Sequence, residues 1–377
     1  MDPDFDILIL GGGCAGLSLA MRLAKMGKDC PRVAIVERRE YYVHDRTWSF
    51  WGSESAQLKS MATAEWKSVR VVNKENTHVI DCAATPYQSL ESGVFYQKSQ
   101  EEISKNPRIK FFLGKSVLKV DKVDQFWEID LASEHLRGKQ VIDTRPGFGK
   151  KIDPILWQSF SGVECESSED SFDEKVATLM EFIDGPKEQV TFLYVLPYSS
   201  RRALIEVTVF AARVQSKEQI QTFWEDISKK YSGKLTPKYS EYYAIPMGFT
   251  VDDQFTDPTY IKVGIESGAA RAATGYVFQR IQRWAEMASI QVRRGCLISP
   301  LQVDSWMIRW MDLLFLKVIA DHPHRGSELL MRLFSRCDAG ALIRFMDDKP
   351  SILDAIKVMM TLPKMLFIRC LWKEWLR

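Results

Sequence analysis

The chain has 377 residues, of which 46% are apolar and 27% are charged, and these proportions of an ordinary globular protein exclude a largely disordered one. Its length predicts two or three domains. Lysine and arginine number 51 against 49 acidic residues, so no basic field favours nucleic acid as a partner.

Cysteine and histidine spacing argues against metal and thiol chemistry. The seven cysteines, at positions 14, 30, 82, 165, 296, 337 and 370, contain no C-x-x-C pair, which favours a reduced, intracellular chain. The five histidines contain no helical H-x-x-x-H pair, so no metal site is predicted. A G-x-S-x-G motif is absent from the sequence, which makes a hydrolase of that kind a poor candidate.

The N-terminal segment predicts a strand, a glycine-rich turn, a helix and a second strand. Ile7–Leu10 is a continuous apolar run typical of a strand in a parallel sheet, and it ends in glycines instead of a cleavage site, so no signal peptide is predicted. Leucines and alanines then recur with helical spacing as far as Gly27, and Val33–Glu37 predicts the next strand. This order is a βαβ unit that opens a doubly wound α/β domain.

The glycines of this unit have the spacing of a dinucleotide site. Gly11, Gly13 and Gly16 form G-x-G-x-x-G, with Gly12 between the first two, and Glu37 ends the second strand. The first glycine permits a tight turn, the second lets a pyrophosphate approach the backbone, and the third lets helix and strand pack closely. The acidic residue can bond a ribose hydroxyl. The motif predicts an adenine dinucleotide and leaves open whether it is FAD or NAD.

The middle of the chain predicts mainly strands. Residues 69–143 have the pattern of short strands and turns. Phe192–Leu196 and Ala203–Ala211 then predict a hairpin in an antiparallel sheet, and Lys217–Lys229 predicts a helix. Tyr260–Gly264 predicts another buried strand. Gly275–Ala288 has helical periodicity, and from about residue 300 the sequence predicts helices almost throughout.

One predicted strand carries a single carboxylate. In Ala203–Ala211, alternation places Leu204, Glu206, Thr208 and Phe210 on the same face. From this pattern alone, a solvent-facing glutamate on a half-buried strand is the favoured interpretation, and a functional glutamate needs further support.

The last segment, residues 355–377, combines basic residues with methionine and tryptophan. It has five basic residues and one acidic residue, Glu374. Such a helix can lie on a membrane surface, where each basic residue adds about 1 kcal/mol near anionic lipid, or it can pack on the domain, and both interpretations stay open. No apolar run reaches the roughly 18 to 20 residues that crossing a bilayer requires.

Segments spread over nearly the whole chain are specific in their order and spacing. Beside the N-terminal glycine motif they are HDRTWSFW (His44–Trp51), WQSFSG (Trp157–Gly162), Phe172–Phe182, FLYVLP (Phe192–Pro197), ALIEVT (Ala203–Thr208), IPMG (Ile245–Gly248), Gly264–Tyr276, Leu333–Phe334, RFM (Arg344–Met346) and LPKM (Leu362–Met365). Together they resemble the bacterial lycopene β-cyclase family of flavoproteins.

The resemblance implies an α/β fold like that of aromatic hydroxylases and geranylgeranyl reductases. It has a Rossmann-type FAD-binding domain, a substrate domain built on an antiparallel sheet, and a helical C-terminal region. The expected boundaries are residues 1–155 and 245–300 for the discontinuous FAD-binding domain, with room for substrate-domain insertions. The substrate domain is expected at 156–244, and the helical region, with possible membrane attachment, at 301–377.

The resemblance also implies roles for individual residues. Glu206 occupies the position of the presumed catalytic acid. Glu37 would hold the adenosine ribose, and Thr274 and Gly275 would lie near the flavin. The full set of implied cofactor-binding residues is Gly11, Gly12, Gly13, Gly16, Glu37, Arg46, Gly264, Thr274 and Gly275.

Three positions depart from the family pattern. Val207 stands where a second acidic residue is common, which removes one candidate for a proton relay. Ala272 stands where proline is common, which leaves the local backbone less rigid. Val163 stands where tryptophan often follows the glycine, a change that could alter the substrate tunnel.

The implied activity is the acid-catalysed cyclisation of the ψ-end groups of lycopene to β-ionone rings, giving γ- or β-carotene. It involves no net redox change but needs reduced FAD, with NAD(P)H as the electron source. Glu206 would have to be protonated at neutral pH, which burial and a nearby flavin charge would favour by raising its pKa.

The resemblance implies lycopene or a related acyclic carotenoid and a membrane surface as partners, without nucleic acid or metal. It implies a cytoplasmic protein attached peripherally to the membrane. Two alternatives stay open, namely a flavin-dependent monooxygenase or prenyl-chain reductase, and a non-catalytic carotenoid-binding flavoprotein.

Overall fold

A computed structural model describes residues 3–52, 55–132, 134–146, 152–231, 233–249, 257–302 and 304–375. Its strands, in chain order, are β1 (Phe5–Leu10), β2 (Val33–Glu37), β3 (Thr47–Trp51), β4 (Ala64–Trp66), β5 (Ser68–Val72), β6 (Thr77–Asp81), β7 (Tyr87–Glu91), β8 (Ile109–Leu113), β9 (Lys119–Val123), β10 (Phe126–Asp130), β11 (His135–Asp143), β12 (Leu156–Ser167), β13 (Val176–Phe182), β14 (Val190–Pro197), β15 (Arg202–Ala211), β16 (Leu235–Met247) and β17 (Tyr260–Lys262). Its α-helices are α1 (Cys14–Ala24), α2 (Ala56–Met61), α3 (Ser92–Ser104), α4 (Lys217–Gln221), α5 (Trp224–Ser228), α6 (Phe278–Arg293), α7 (Trp306–Asp321), α8 (Gly326–Arg336), α9 (Ala339–Met346), α10 (Ile352–Thr361) and α11 (Lys364–Trp375).

The first sheet is the centre of the dinucleotide-type layer. Its strand order is β8-β2-β1-β11-β10-β9, with β17 beside β11. The strands β8, β2, β1, β11 and β17 pair in parallel, whereas β9 and β10 add an antiparallel edge. Leu8 and Ile9 of β1 point to opposite faces, yet both are fully buried, because apolar side chains cover the two faces of this strand. The predicted βαβ unit is therefore confirmed.

The second sheet has the strand order β16-β12-β15-β14-β13-β5-β6. All neighbouring pairs are antiparallel except β13 with β5, so the predicted antiparallel sheet is confirmed. Strands β5 and β6 come from within residues 1–155, and an insertion from that segment therefore contributes to the second sheet. A small third sheet has the strand order β3-β7-β4. Its strands lie between β2 and β8 in the chain.

The two faces of the second sheet are covered differently. On one face, side chains of β15 such as Ile205 and Val207 pack against the short helices α4 and α5. On the other face, Leu204 and Phe210 share a core with helices α7 to α11. Val163 pairs in register with Ile205 and therefore lies on the α4–α5 face. The departures at Val163 and Val207 thus lie on the face opposite to Glu206, and the effect of Val163 on a substrate tunnel stays a prediction.

Three details differ from the helices that the sequence predicts. The segment Lys217–Lys229 forms two short helices, because the chain turns between α4 and α5. The predicted helix at Gly275 begins only at Phe278, since Gly275 has φ of +69°, which is left-handed and not helical. Helix α3 lies inside a segment predicted as strands and turns.

The C-terminal region is helical, as predicted. Among the described residues, none of the helices is both long enough and apolar enough to pass through a bilayer.

Candidate active site

A cavity of about 560 Å³ lies between the second sheet and the C-terminal helices. Glu206, Thr208 and Phe210 of β15 border it on the sheet side. The loop at Thr274–Gly275 borders it beside Gln158 and Ile245, and side chains of α7 to α11, most of them apolar, also line it. The cavity therefore joins the expected flavin region to the face of β15 that carries Glu206.

Four adjacent strands place one row of residues toward this cavity. Gly162 on β12 pairs in register with Glu241 on β16 and with Glu206 on β15, and Glu206 pairs with Tyr194 on β14. Residues directly opposite one another share a face, and two strand spacings put the Cα atoms of the two glutamates about 10 Å apart. A Cβ added at Gly162 would lie 3.1 Å from Cγ of Glu241 and 3.2 Å from a methyl group of Leu204. The side chains of Glu241 and Leu204 therefore pack closely over Gly162, and a larger residue there would press on the Glu241 carboxyl group.

Glu206 is buried, with 8% of its surface exposed. Its Oε1 accepts a hydrogen bond of 2.7 Å from the Thr208 hydroxyl. Burial, and then the negative charge of Glu241, raise the pKa of Glu206 to about 8, although the Thr208 hydrogen bond acts in the other direction. The solvent-facing interpretation favoured by the sequence pattern is wrong. A neutral carboxylic acid is thus available at this position at neutral pH.

Glu241 is a second buried carboxyl group in the cavity, and the sequence analysis missed it. Its Oε2 accepts hydrogen bonds from the backbone N–H of Thr47 at 3.0 Å and from the Tyr239 hydroxyl at 3.1 Å. Burial raises the pKa of Glu241 to about 7, while these two donors and the charge of Arg46 counteract the rise. The available signal was its place in a strand that leads directly into the IPMG segment.

Three tyrosines extend the polar part of the cavity beside Glu206. The Tyr87 hydroxyl lies 2.9 Å from that of Tyr194 and 3.4 Å from that of Tyr276. Burial raises the pKa of all three phenols, so they stay neutral. The faces of aromatic rings attract cations, and this cluster can therefore stabilise positive charge close to the acid.

The glycine motif has the close contacts that its spacing predicts. Gly11 has φ of +100°, and a Cβ at Gly16 would lie 2.1 Å from the carbonyl oxygen of Gly11. The N–H of Gly12 donates to Oε2 of Glu37 at 2.7 Å. At Gly13, by contrast, an added Cβ would meet nothing within 4 Å. The open space at this motif therefore lies beside Gly13, where helix α1 begins.

Glu37 stays ionised at the end of β2. Burial alone would raise its pKa, but hydrogen bonds from Arg39 and from the N–H of Gly12 hold the pKa of Glu37 below its ordinary value. The Arg39 side chain also lies over the rings of Tyr42 and Tyr96. A carboxylate has about four acceptor positions, and Glu37 fills them with the N–H of Gly12 and three N–H donors of Arg39. A ribose hydroxyl would therefore have to replace one of the Arg39 side-chain hydrogen bonds.

The described residues fit an adenine dinucleotide that runs from the glycine motif toward the cavity. Gly13 caps α1 without a side-chain hydrogen bond, and the first turn of α1 has no acidic residue, which leaves the positive helix end available to a phosphate. Burial raises the pKa of Cys14 and the positive charge of Arg46 opposes the rise, so Arg46 lies near the start of α1. Arg46 also borders the cavity. Oε1 of Gln158 is buried without a partner and lies 2.8 Å from a Cβ placed at Gly275. That orphaned acceptor suits a hydrogen-bond donor of a bound group.

The structure thus brings the predicted site residues into two connected places. Gly11, Gly12, Gly13, Gly16 and Glu37 surround the start of α1. Arg46, Thr274, Gly275 and Glu206 border the cavity. Gly264 lies in the loop after β17, where a Cβ would be 3.8 Å from the carbonyl oxygen of Thr144. No group of three or more histidine, cysteine, aspartate or glutamate residues within the described ranges could hold a metal ion.

Solved structures with the same architecture include a flavin-dependent enzyme, a reductase-like protein and a monooxygenase. A flavin-dependent brominase aligns with a TM-score of 0.64 and 11% identity, over 94% of this chain and 97% of its own. A geranylgeranyl bacteriochlorophyll reductase-like protein from Thermoplasma acidophilum aligns with a TM-score of 0.61 and 13% identity, over 97% and 98%. The p-nitrophenol 4-monooxygenase of Pseudomonas putida also gives 0.61, with 16% identity over 97% and 99%. The chain has this class of α/β fold, and the predicted fold class is confirmed.

The family model described as "Lycopene cyclase protein" matches residues 6–371. The chain belongs to the lycopene cyclase family.

Curated relatives of the chain are plant proteins. The chloroplastic lycopene beta cyclase of Solanum lycopersicum is 22% identical over 302 residues, which cover 73% of this chain and 57% of the relative. The chloroplastic neoxanthin synthase of Solanum tuberosum is 22% identical over 316 residues, which cover 77% of this chain and 61% of the relative. The chain therefore matches about three fifths of the length of these relatives.

Proposed function

We propose that this protein cyclises the ψ-end groups of lycopene, or of a related acyclic carotenoid, to β-ionone rings. The observation that carries the proposal is a buried carboxylic acid, Glu206, on the wall of a largely apolar cavity. A hydrocarbon has no polar group by which an enzyme can hold it, so an apolar cavity suits it. Protonation of a carbon–carbon double bond needs an acid that is still protonated at the working pH, and the environment of Glu206 keeps it so.

The residues divide the work of such a reaction between them. The apolar side chains of the sheet and of α7 to α11 hold the polyene. Glu206 donates the proton, and the Thr208 hydroxyl fixes the orientation of its carboxyl group. The glycine motif, Glu37 and Arg46 would hold FAD, with Thr274 and Gly275 beside its ring system. Bound FAD in its reduced form supplies negative charge that stabilises a nearby carbocation, and NAD(P)H is the proposed source of its electrons.

Expression in a bacterial host that accumulates lycopene tests this function. Chromatography of the pigments is expected to show γ- or β-carotene at the expense of lycopene, whereas the same host with an empty vector keeps its lycopene. Unchanged lycopene in cells that contain the soluble or membrane-bound holoprotein would contradict the proposal. Consumption of NAD(P)H in proportion to product would instead favour the monooxygenase or reductase chemistry of the structural neighbours.

We also propose that the C-terminal helices attach the protein to a membrane surface. Six large apolar side chains on α7, α10 and α11 are 61% to 80% exposed, and we call them the C-terminal patch. They are Trp306, Ile352, Leu353, Met360, Met365 and Trp372. Large apolar side chains exposed together on the surface mark interaction sites. Arg377, which the sequence analysis included in the basic tail, lies outside the described residues.

The cavity opens at this patch. Trp310, Ile356, Met360 and Ile368 are all exposed and all border the cavity. Exposed lysine and arginine side chains on α10 and α11 lie among them, and each adds about 1 kcal/mol of attraction near anionic lipid. A carotenoid dissolved in the bilayer could therefore reach Glu206 without crossing water.

A single substitution in the patch tests the attachment. Met365→Asp removes an apolar contact of α11 and adds a charge that anionic lipid repels, so we expect at least about tenfold weaker partitioning onto anionic liposomes. Flotation of the full chain measures the partitioning. Met287→Asp is the matched control, because Met287 is 57% exposed on α6, away from the patch. Equal flotation of both variants and of the wild type would contradict attachment through the patch.

A further inference from the structure

Three buried carboxyl groups among the described residues border the cavity, and the proposed reaction as described so far uses one of them, Glu206. Asp312 is held by the Arg271 guanidinium at 2.9 and 3.0 Å, which leaves Glu241 as the second candidate. Cyclisation adds a proton at one carbon and removes a proton from another, so it needs an acid and a base. Glu206 and Glu241 border the same cavity and lie in one row on either side of Gly162, and the charge of Glu241 raises the pKa of Glu206. Both are buried, with 8% and 5% of their surfaces exposed.

Their hydrogen-bond partners distinguish the two groups. Glu206 accepts one hydrogen bond, from the hydroxyl of Thr208 on its own strand. Glu241 accepts two at the same oxygen, from the backbone N–H of Thr47 and the hydroxyl of Tyr239. The guanidinium of Arg46 adds positive charge near Glu241, while Asp45 opposes it. Donors and positive charge favour an ionised carboxylate, so Glu241 is the better base of the pair and Glu206 the better acid.

We propose that Glu241 is a catalytic base, which accepts the proton that ring closure releases. This inference rests on the proposed cyclisation. Because the position of the base decides which ring C–H bond it can reach, Glu241 also determines where the ring double bond forms.

The proposed sequence is balanced in atoms and charge. The O–H bond of Glu206 breaks, and the π electrons of the terminal double bond form a C–H bond with its proton, which leaves a carbocation. The π electrons of the next double bond form the ring C–C bond and move the positive charge into the ring. A ring C–H bond then breaks, its electrons form the ring double bond, and Glu241 takes the proton. Return of that proton from Glu241 to Glu206 restores both groups, without any oxidant or reductant being consumed.

A structural role for Glu241 gives a different expectation. The carboxylate ties β3 to β16 through the N–H of Thr47. Glutamine has a side chain of the same length as glutamate and keeps an acceptor oxygen at its end. A purely structural role would therefore survive Glu241→Gln. A base is lost in the same variant, because an amide does not accept the proton at neutral pH.

The test uses holoprotein with reduced FAD and lycopene in liposomes. We expect Glu241→Gln to keep its flavin and to form rings at least about a hundredfold more slowly, with a changed ratio of ring isomers. In Glu241→Ala, added acetate should restore part of the rate, because a free carboxylate can occupy the vacated space. Tyr239→Phe leaves the carboxylate in place and should have a much smaller effect.

Two results would overturn the inference. One is a rate of ring formation in Glu241→Gln within about twofold of the wild-type rate, with the same ring isomer. That difference is too small for the loss of a general base. The other applies if Glu241→Gln loses its flavin. In that case, failure of acetate to restore any of the ring-forming rate of Glu241→Ala would overturn the inference. Failure of the proposed function is a separate outcome, since the wild type itself would then form no ring.

Discussion

Glu206→Gln is expected to form no detectable cyclic carotenoid while keeping its flavin. Glutamine has the shape of glutamate and can still accept the hydrogen bond from Thr208, but it has no acidic proton to transfer. Loss of a general acid costs about a hundredfold to ten-thousandfold in rate, and protonation of an unactivated double bond lies at the demanding end of such reactions. Pigment chromatography measures the product, and flavin absorbance of the purified protein measures the cofactor.

The matched control for this variant is Glu225→Gln, which makes the same chemical change on the exposed helix α5 and should leave turnover unchanged. Normal turnover in Glu206→Gln would retire the assignment of Glu206.

Stability as a function of pH provides a second readout of Glu206→Gln. In the wild type, the folded-state pKa of about 8 lies above the unfolded value, so the folded state binds the proton more tightly. This contribution to the free energy of unfolding is complete below the unfolded pKa, near 4.3, and is lost as the pH rises toward about 8. The variant lacks this loss, and its melting temperature should therefore fall less than that of the wild type between pH 6 and pH 9.

Gly13→Asp is expected to abolish FAD binding while preserving the fold. Gly13 is the N-cap of α1, and a side chain there enters open space. Aspartate is a favourable N-cap, worth about a few tenths of a kcal/mol relative to glycine, so its carboxylate should bond the free N–H groups of the first turn. The same N–H groups and the same space are needed by the pyrophosphate, which the new negative charge also repels.

The measurements for Gly13→Asp are flavin content after purification and the melting temperature of the flavin-free protein. We expect less than about one tenth of the wild-type flavin content, because the phosphate contacts are lost. We expect a melting temperature at or above that of the wild-type apoprotein, because the new N-cap stabilises the start of α1. Gly16→Val is the contrasting variant. A Cβ there would lie 2.1 Å from the carbonyl oxygen of Gly11, so it should destabilise the fold itself. Full flavin content in Gly13→Asp would contradict the placement of the cofactor.

The sequence predicted correctly those strands, turns and helices that depend on residues close together in the chain. The apolar run of β1 and the glycines after it specify a strand, a tight turn and a helix within about 20 residues, since each residue's role depends on near neighbours. The hairpin of β14 and β15 follows from alternation in the same way. The predicted start of α6 is three residues too early because Gly275 has a left-handed conformation, which apolar periodicity does not reveal.

The candidate site depended on contacts between distant segments. Alternation placed Glu206 on a face of β15, but the helices that cover this face begin about a hundred residues later in the chain. Burial of the carboxyl group, and with it the raised pKa, could not be derived from the strand alone. Glu241 was missed for the same reason. Only the register of β16, β12 and β15 brings it into one row with Glu206, with Gly162 between them. Glu206 itself was identified through resemblance and not through its pattern.

The apolar covering formed by α7 to α11 has a consequence for the fidelity of the chemistry. A tertiary carbocation in contact with solvent is captured within its lifetime to give an alcohol, and such a hydrated by-product would compete with every ring formed. Side chains such as Leu314, Leu333 and Phe334 make most of that side of the cavity apolar. The Asp312 carboxylate on the same side is bound to the Arg271 guanidinium, which limits its capacity to hold a solvent molecule. The helical covering thereby confines the cation to a single fate, loss of a proton.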